Sequence, residues 1–498
     1  MNPLFLTDGY KTGHDRQYPP GTTRVYSNFT PRTNKYAPAG CDLLVSFGQQ
    51  MITRQIHDAF ANEFFSKPKD EVCGEMKREL SMYLNTDYDV SHFERLHDLG
   101  YLPICIKSLE EGTLVPMKVP VLTIYNTHPD FFWVTNYLET IISNLLWKPM
   151  TSATIAHTYR KLLTSWQEKT DAEKSWFVDW QGHDFSMRGM DSIDAVISSG
   201  LGHLTSFSGS DSLPTIYGAR KYYNAEGPIC GSVNATEHSV MCAGSKESEI
   251  ETFKRLMVTY PEAILSVVSD TWDLTRVVKP GERGICYDLK DMIMARDGKL
   301  VIRPDSGDPV DIICGHGDTE LTDREKESFY PEFYTKGLIE CLWEIFGGTI
   351  NEQGYKCLDS HIGGIYGDSI TIARADEICK RLEAKGFAST NIVLGIGSFT
   401  YQFNTRDTFG FAMKATYVEV DGEGREIFKD PMTDDGTKKS ATGLLAIYKD
   451  PIDGEYKLVD KCNWATEGAG ELKCIYLNGQ FENQITFNEI RENLKRAK

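Results

Sequence analysis

The sequence lacks several features that would assign it to a special class of protein. It contains 12 cysteines but no C-x-x-C pair and no zinc-ligand spacing, which argues against structural zinc and is typical of thiols kept reduced in the cytoplasm. It also has no apolar run of the roughly 18 residues that a membrane helix needs, and no secretory leader is indicated. We therefore expect a cytoplasmic protein with no membrane partner.

Basic residues are in deficit as well. Lys and Arg number 53 against 71 Asp and Glu, which gives a formal net charge of −18. Because nucleic acids are bound by broad clusters of Lys and Arg, this balance argues against a nucleic-acid partner. A local basic pocket for a small phosphate is still compatible with the composition.

No internal repeat or long linker divides the 498 residues, so domain boundaries depend on changes in the hydrophobic pattern. Between 181 and 408 short apolar runs alternate with amphipathic helices, which predicts parallel strands and a barrel-like α/β domain. The segments 1–180 and 409–498 have a mixed pattern and are expected to form one α+β domain together. The predicted strands of the barrel lie within 203–207, 263–270, 300–309, 361–369 and 391–400.

Polar and glycine residues follow these predicted strands, at the edge where the active sites of parallel barrels lie. Arg303 and Asp305 in RPDSGDP could contact a phosphate, a ribose or a magnesium diphosphate, although the same residues also occur in ordinary turns. The glycines of IYGDS (365–369) and GIGSFT (395–400) could place backbone N–H groups around a phosphate.

Three further motifs supply a ring, a carboxylate and a histidine. Phe185 and Arg188 in GHDFSMRG could hold a flat heteroaromatic ring, or Phe185 could belong to the core. Asp211 in SGSD could accept a hydrogen bond from an amide or could shape a turn. His238, beside Glu237 in SVNATEHS, could attack a phosphoryl group or be a structural histidine. Together the motifs favour a phosphate-rich active site.

Other phosphate-binding classes are not indicated. The chain has no G-x-x-x-x-G-K-[ST] sequence and no complete dinucleotide fingerprint, so neither a P-loop nor a Rossmann site is expected. A barrel lyase or aldolase would need a Schiff-base lysine or metal ligands, and we identify neither among the motifs.

Essentially the whole chain resembles the nicotinamide phosphoribosyltransferase family, from TDGYKTGHDRQYPPGTTRVYSNFTPR (7–32) to FNEIRENL (487–494). The resemblance implies an enzyme of NAD biosynthesis that forms nicotinamide mononucleotide and pyrophosphate from nicotinamide and 5-phosphoribosyl 1-pyrophosphate. It also implies a homodimer with active sites shared between subunits, Mg²⁺ bound with the diphosphate, and ATP as a coupled co-substrate.

The resemblance assigns the base site to four residues. Phe185 and Arg188 would clamp the nicotinamide ring, Asp211 would read its amide, and Tyr10 of the partner subunit would cover the ring. His238 would be the histidine that ATP phosphorylates.

The donor site is also assigned by the resemblance. Arg303 and Asp305 would meet the ribose and the magnesium diphosphate, which makes Asp305 the candidate metal contact, and Glu237 would polarise the neighbouring histidine. The remaining residues expected to bind substrates are Ser232, Ser266, Gly367, Asp368, Gly397, Ser398, Arg32, Arg406, Lys414 and Lys429.

Two alternatives remain open at this point. A nicotinate phosphoribosyltransferase would have a related architecture, but Asp211 argues against it because a site for a carboxylate needs a cation or backbone donors. A non-catalytic binding or signalling protein could keep the same fold. The chain also departs from the family's glycine-rich phosphate loop, with Gly395-Ile396-Gly397-Ser398-Phe399 in its place.

Overall fold

A computed structural model describes residues 1–317, 320–367, 369–428 and 441–497. The chain forms two compact units. The terminal unit comprises Met1–Thr154, Gly218–Glu226 and Asn404–Lys498, and the barrel unit comprises Ile155–Tyr217 and Gly227–Phe403. The sequence pattern places the start of the barrel at 181, whereas the barrel unit starts at Ile155. The helix Glu139–Thr170 continues across this boundary, so the hydrophobic pattern has no break there.

The barrel unit is built on a seven-stranded sheet in which every neighbouring pair is parallel. The two edge strands of this sheet are Gly209–Ser210 and Asn234–Ala235. Gly231, just before the second of them, forms a parallel bridge with Gly209 in the first, so the sheet curls back on itself. The predicted barrel-like α/β domain is confirmed. In spatial order the strands are Gly209–Ser210, Gly182–Asp184, Ile392–Ile396, Ile362–Tyr366, Leu300–Arg303, Leu265–Val268 and Asn234–Ala235.

Apolar runs form the barrel strands because both faces of a parallel sheet are covered. All four residues of Leu265–Val268 and all five of Ile362–Tyr366 are buried. Side-chain caps start several of the surrounding helices: Ser192 and Thr371 each accept a hydrogen bond from a first-turn N–H. The longer helices of the unit are Ile193–Leu204, Glu249–Thr259, Phe333–Phe346 and Ile372–Ala384; shorter ones are Val178–Gln181, His238–Ala243, Leu274–Val277, Ile285–Asp288, Lys290–Met294, Pro309–Cys314, Asp323–Lys326 and Ser398–Tyr401.

One predicted strand is wrong. The segment 203–207 contains the end of the helix Ile193–Leu204 and the turn that follows it, and the strand itself is Gly209–Ser210. The helix is buried from Ala195 to Leu204, so its apolar residues face all directions and no amphipathic period marks it as a helix.

The terminal unit is a mixed α+β domain to which both ends of the chain contribute. Its seven-stranded antiparallel sheet has the order Glu423–Glu426, Ala412–Val420, Thr22–Thr30, Leu122–Asn126, Ile104–Ser108, Lys473–Leu477 and Gln480–Phe481. A hairpin turn at Asn478-Gly479 joins the last two strands. Two further sheets have two strands each: Leu43–Val45 pairs with Leu114–Pro116, and Leu444–Lys449 pairs with Tyr456–Cys462. The helices of the unit are His14–Gln17, Gln49–Phe60, Lys69–Leu84, Ser91–Leu99, Trp133–Tyr137, Trp464–Ala469 and Phe487–Arg496.

Within the described ranges no helix is both long enough and apolar enough to span a membrane.

Candidate active site

The carboxyl ends of the barrel strands bring the candidate residues of the barrel unit to one edge of the sheet. Each of the following residues comes within two positions of the end of a different strand: Phe185, Asp211, Asp270, Asp305, Gly367 and Ser398. Because all pairs in the sheet are parallel, these strand ends lie side by side. The strands thus gather residues that are far apart in the sequence.

A cavity of about 460 Å³ lies inside the barrel unit, and His183, Phe185, Asp211 and Arg303 are among the residues that line it. Ser266 also lines the cavity; its hydroxyl is buried and has no hydrogen-bond partner within the described part of the chain. A buried hydroxyl without a partner is costly, so Ser266 is placed to bond a polar group that enters the cavity. The apolar lining includes Trp180, Val233, Ile264 and Val301.

Four residues form what we call the base cluster: His183, Phe185, Asp211 and Ser232. His183 Nε2 lies 3.0 Å from Asp211 Oδ1, and the Ser232 hydroxyl donates a hydrogen bond to the same oxygen. The ring of Phe185 lies 4.5 Å from that of His183, tilted by 33°. An aromatic face therefore lies next to a carboxylate that is held from two sides.

The Asp211 carboxylate is held in its charged form. Burial acts to raise its pKa, but the hydrogen bonds from His183 and Ser232 and the charges of His183 and Arg303 outweigh burial and lower the pKa below its usual value. The side chain is still 41% exposed, so the carboxylate can reach a ligand in the cavity. A negatively charged acceptor suits an amide N–H and repels a second carboxylate.

Arg303 connects the base cluster to the end of its own strand, Leu300–Arg303. Its guanidinium carbon lies 4.9 Å from the centre of the Phe185 ring, and its Nη2 lies 3.9 Å from Asp305 Oδ2. Gly367 leaves the space for this arrangement, because a Cβ there would lie 2.1 Å from Asp305 Oδ1 and 2.9 Å from Arg303 Nε. The backbone at Gly367 therefore approaches both charged groups as only glycine can.

A second group, which we call the histidine cluster, consists of His238, Thr271 and Asp270. His238 Nδ1 lies 3.0 Å from the Thr271 hydroxyl, and its Nε2 lies 3.9 Å from Asp270 Oδ1. The other oxygen of Asp270 accepts hydrogen bonds from Asp305 N, at 2.8 Å, and from the Ser306 hydroxyl, at 2.6 Å. Asp270 is 5% exposed and His238 is 49% exposed, so a buried carboxylate supports an accessible imidazole.

Other candidates of the barrel unit lie at the rim. The Glu237 carboxylate accepts a hydrogen bond from the Ser239 hydroxyl, while the His238 ring is contacted by Thr271 and Asp270. Arg188 is exposed in the single turn Met187–Gly189. Ser398 begins the helix after Gly397, and a Cβ at Gly189 would lie 2.1 Å from its hydroxyl, so the Arg188 turn and the Ser398 helix are in close contact.

The basic candidates and Tyr10 belong to the terminal unit. Tyr10 is 66% exposed in the turn Gly9–Gly13. Arg32 Nε donates a hydrogen bond to Gly410 O at 2.8 Å, which brings it against the loop that follows Arg406, and Lys414 is exposed on the strand Ala412–Val420. Two further candidates, Asp368 and Lys429, lie outside the described residues.

Within the described ranges no group of three or more His, Cys, Asp or Glu side chains is arranged to hold a metal ion. Asp305 lies beside the Arg303 guanidinium, and Asp270 lies beside His238. This arrangement suits a metal that arrives with a diphosphate better than one held by protein ligands alone.

Sequence reasoning missed the parts played by His183, Asp270 and Thr271. His183 precedes Phe185 in the HDF motif, and Asp270 and Thr271 follow the SVVS strand residues, so a signal existed in each case. What the sequence could not provide was the pairing of strands, which sets His183 opposite Gly209 and thus beside Asp211.

Comparisons with known proteins show the family of the chain. Residues 180–493 match the profile of the nicotinate phosphoribosyltransferase (NAPRTase) family, and residues 2–70 match that of the nicotinamide phosphoribosyltransferase N-terminal domain. The chain belongs to the nicotinate phosphoribosyltransferase family.

Relatives within this family are similar along their whole length. A nicotinamide phosphoribosyltransferase of Acinetobacter baylyi is 50% identical, with 99% of this chain and 97% of the relative covered. Proteins of the same name from Mycoplasma pneumoniae and Xanthomonas campestris pv. campestris are 33% and 30% identical, covering 88% and 100% of this chain and 94% and 99% of the relatives.

Two solved structures share the fold. The crystal structure of human nicotinic acid phosphoribosyltransferase aligns with a TM-score of 0.55 at 16% identity, covering 99% of this chain and 93% of the other. A nicotinate-nucleotide pyrophosphorylase from Pyrococcus furiosus aligns with a TM-score of 0.52 at 14% identity, covering 99% and 94%.

Proposed function

We propose that this chain is a nicotinamide phosphoribosyltransferase, which joins nicotinamide to 5-phosphoribosyl 1-pyrophosphate and releases pyrophosphate, in NAD biosynthesis. The observation that carries the proposal is the base cluster, in which the charged Asp211 carboxylate stands beside the Phe185 ring. The names of the relatives that match the full chain support the same activity.

The reaction needs little covalent chemistry from the protein. The ring nitrogen of nicotinamide attacks C1 of the ribose, the new C–N bond forms, and the bond from C1 to the pyrophosphate oxygen breaks. Positive charge develops on the ribose in the transition state, so positioning and electrostatics are the main contributions of the enzyme. Phe185 would stack on the base, and Arg303 and Asp305 would contact the donor.

Discrimination between the amide and the acid would depend on Asp211. The carboxamide NH₂ of nicotinamide can donate a hydrogen bond to the carboxylate, whereas the carboxylate of nicotinate would be repelled by it. Ser266, whose hydroxyl lines the cavity without a described partner, would hydrogen-bond the carbonyl oxygen of the amide.

The donor would bring Mg²⁺ with its diphosphate. Asp305 is 29% exposed beside Arg303, so a carboxylate and a guanidinium are available together at the strand end. Carboxylates bind Mg²⁺ and guanidinium groups bind phosphate oxygens, and the pair suits a magnesium diphosphate.

ATP would act as a coupled co-substrate through His238. The imidazole attacks the γ-phosphorus of ATP, ADP leaves with the bridging oxygen, and a phosphohistidine forms that water later hydrolyses. Asp270 would stabilise the positive charge on the imidazole during the attack, since its Oδ1 lies 3.9 Å from the ring.

A homodimer with shared active sites would complete the base site. Tyr10 is 66% exposed, and in the proposed dimer it covers the base bound by the partner subunit. Mixing Tyr10→Ala subunits with Arg303→Ala subunits should restore activity, because half of the shared sites in a mixed dimer carry neither change. If the mixture stays as inactive as the two variants alone, the shared site is refuted.

The proposed activity is tested by measuring mononucleotide and pyrophosphate formation from the phosphoribosyl donor and Mg²⁺ with nicotinamide or nicotinate, each with and without ATP. A strong preference for nicotinamide is expected. Preference for nicotinate would assign the chain to the sister activity, and no turnover with either base would refute the proposal.

A further inference from the structure

The base cluster contains a residue that the proposed reaction does not use directly. His183 is 8% exposed and lies in the middle of the strand Gly182–Asp184, which Phe185 follows. Its partner strand sets Gly209 opposite it, and a Cβ at Gly209 would lie 2.6 Å from His183 Nδ1. The imidazole is therefore packed tightly on the Nδ1 side and directs Nε2 at Asp211 Oδ1, 3.0 Å away.

The hydrogen bonds of Asp211 fall on one of its two oxygens. His183 and Ser232 both contact Oδ1, and within the described residues no hydrogen bond to Oδ2 is found. Two contacts on one oxygen fix the plane of the carboxylate and leave the other oxygen for a ligand in the cavity. His183 therefore helps to determine where Asp211 points.

Resting on the proposed function, we propose that His183 is a specificity-determining positioning residue: by holding Asp211 Oδ1 it leaves Oδ2 for the amide group of the base, and so sets how strongly the enzyme prefers nicotinamide over nicotinate. Without this contact the carboxylate can turn away from the base. The hydrogen bond from the amide of nicotinamide is then lost, whereas nicotinate is repelled less, so the two bases are affected in opposite directions.

Other charged groups also surround this pair. The Arg303 guanidinium lies over the Phe185 ring, and Asp184 is the next residue along the strand, but its carboxylate is engaged by Ser186 N and the Ser210 hydroxyl. Lys174 and Lys299 line the same cavity. The contacts that hold the Asp211 carboxylate come from His183 and Ser232, so the imidazole is the ring that orients it.

The test is the ratio of kcat/KM for nicotinamide to kcat/KM for nicotinate, measured in the full-length protein. Both bases use the same phosphoribosyl donor, so a general loss of donor binding or of folded enzyme cancels in the ratio.

Two variants separate the hydrogen bond from the bulk of the ring. His183→Gln keeps an N–H donor that can reach Asp211, and it should keep the ratio of the unmodified enzyme. His183→Ala removes the donor and should lower the ratio about tenfold. Rescue by glutamine but not by alanine is a result that a merely structural role would not produce.

Two outcomes would overturn the inference. They are an alanine variant with an unchanged ratio, and a glutamine variant whose ratio falls as far as that of the alanine variant. If the unmodified enzyme turned over neither base, the proposed function would fail and this inference with it. Turnover of nicotinamide by the unmodified enzyme, with the same ratio in the alanine variant, would overturn the inference alone.

Discussion

The base cluster and the histidine cluster are built from the same kind of strand end but differ in how complete they are. In the base cluster Asp211 Oδ1 has two close partners, His183 and Ser232. In the histidine cluster Asp270 Oδ1 is buried, and His238 Nε2 lies 3.9 Å from it. The base site is therefore organised in advance, whereas the imidazole keeps the freedom that a group needs to accept and release a phosphoryl group.

The largest expected effect comes from the residue next to both clusters. Arg303→Ala removes the guanidinium that contacts Phe185 and Asp305, and we expect kcat/KM for nicotinamide to fall about 10³-fold, as when a charge-stabilising donor is lost from an active site. Arg303→Lys is the matched control: it keeps the charge without the planar fork and should recover part of the loss. Equal activity of the alanine variant and the unmodified enzyme would contradict this role.

The second prediction concerns the histidine cluster alone. His238→Ala should reduce the ratio of rates with and without ATP to about one, because no phosphohistidine can form. His361→Ala is the control, since His361 is also a partly exposed histidine beside an aspartate, with Nδ1 2.7 Å from Asp359 Oδ1. Stimulation by ATP that survives in the His238 variant, measured by initial rates, would exclude His238 from the coupling.

The third prediction tests the link between the clusters. Gly367→Ala would place a Cβ 2.1 Å from Asp305 Oδ1, so we expect the KM of the phosphoribosyl donor to rise about tenfold while the ratio between the two bases stays the same. Gly74→Ala, where an added Cβ meets nothing within 4 Å, should leave the KM of the donor as it is. A normal donor KM in the Gly367 variant would show that Asp305 does not contact the donor.

The smallest effect is expected at Ser266, on the wall of the base site. Ser266→Ala removes a buried hydroxyl that has no described partner, so the free energy of unfolding should rise by about 1 kcal/mol while the KM of nicotinamide rises about threefold. Opposite changes in stability and affinity identify a hydroxyl reserved for a ligand. A loss of stability, measured by thermal unfolding, would mean that the hydroxyl has a structural partner instead.

The sequence predicted the architecture well where strands and helices alternate. Leu300–Arg303, Ile362–Tyr366 and Ile392–Ile396 lie within predicted strands, because short apolar runs bounded by turn residues are distinctive. The prediction of secondary structure failed where burial on all sides removes the amphipathic pattern of a helix, as in Ile193–Leu204.

Individual residues of the candidate site could be predicted from the sequence, but their arrangement around each other could not. Strand-end motifs and the family resemblance located Asp211, His238 and Arg303, and their proposed roles remain to be tested. The partners His183 and Asp270 depend on which strands are neighbours, and spatial order in a sheet is not written in any local stretch of sequence.

The central claim is that the charge of Asp211 selects the amide. The most direct test replaces Asp211 with asparagine, which keeps the shape of the side chain and removes the charge, and measures kcat/KM for nicotinamide and nicotinate. The account predicts that the ratio falls about 100-fold, mainly because nicotinate becomes a better substrate. A ratio that stays the same as in the unmodified enzyme would contradict the account.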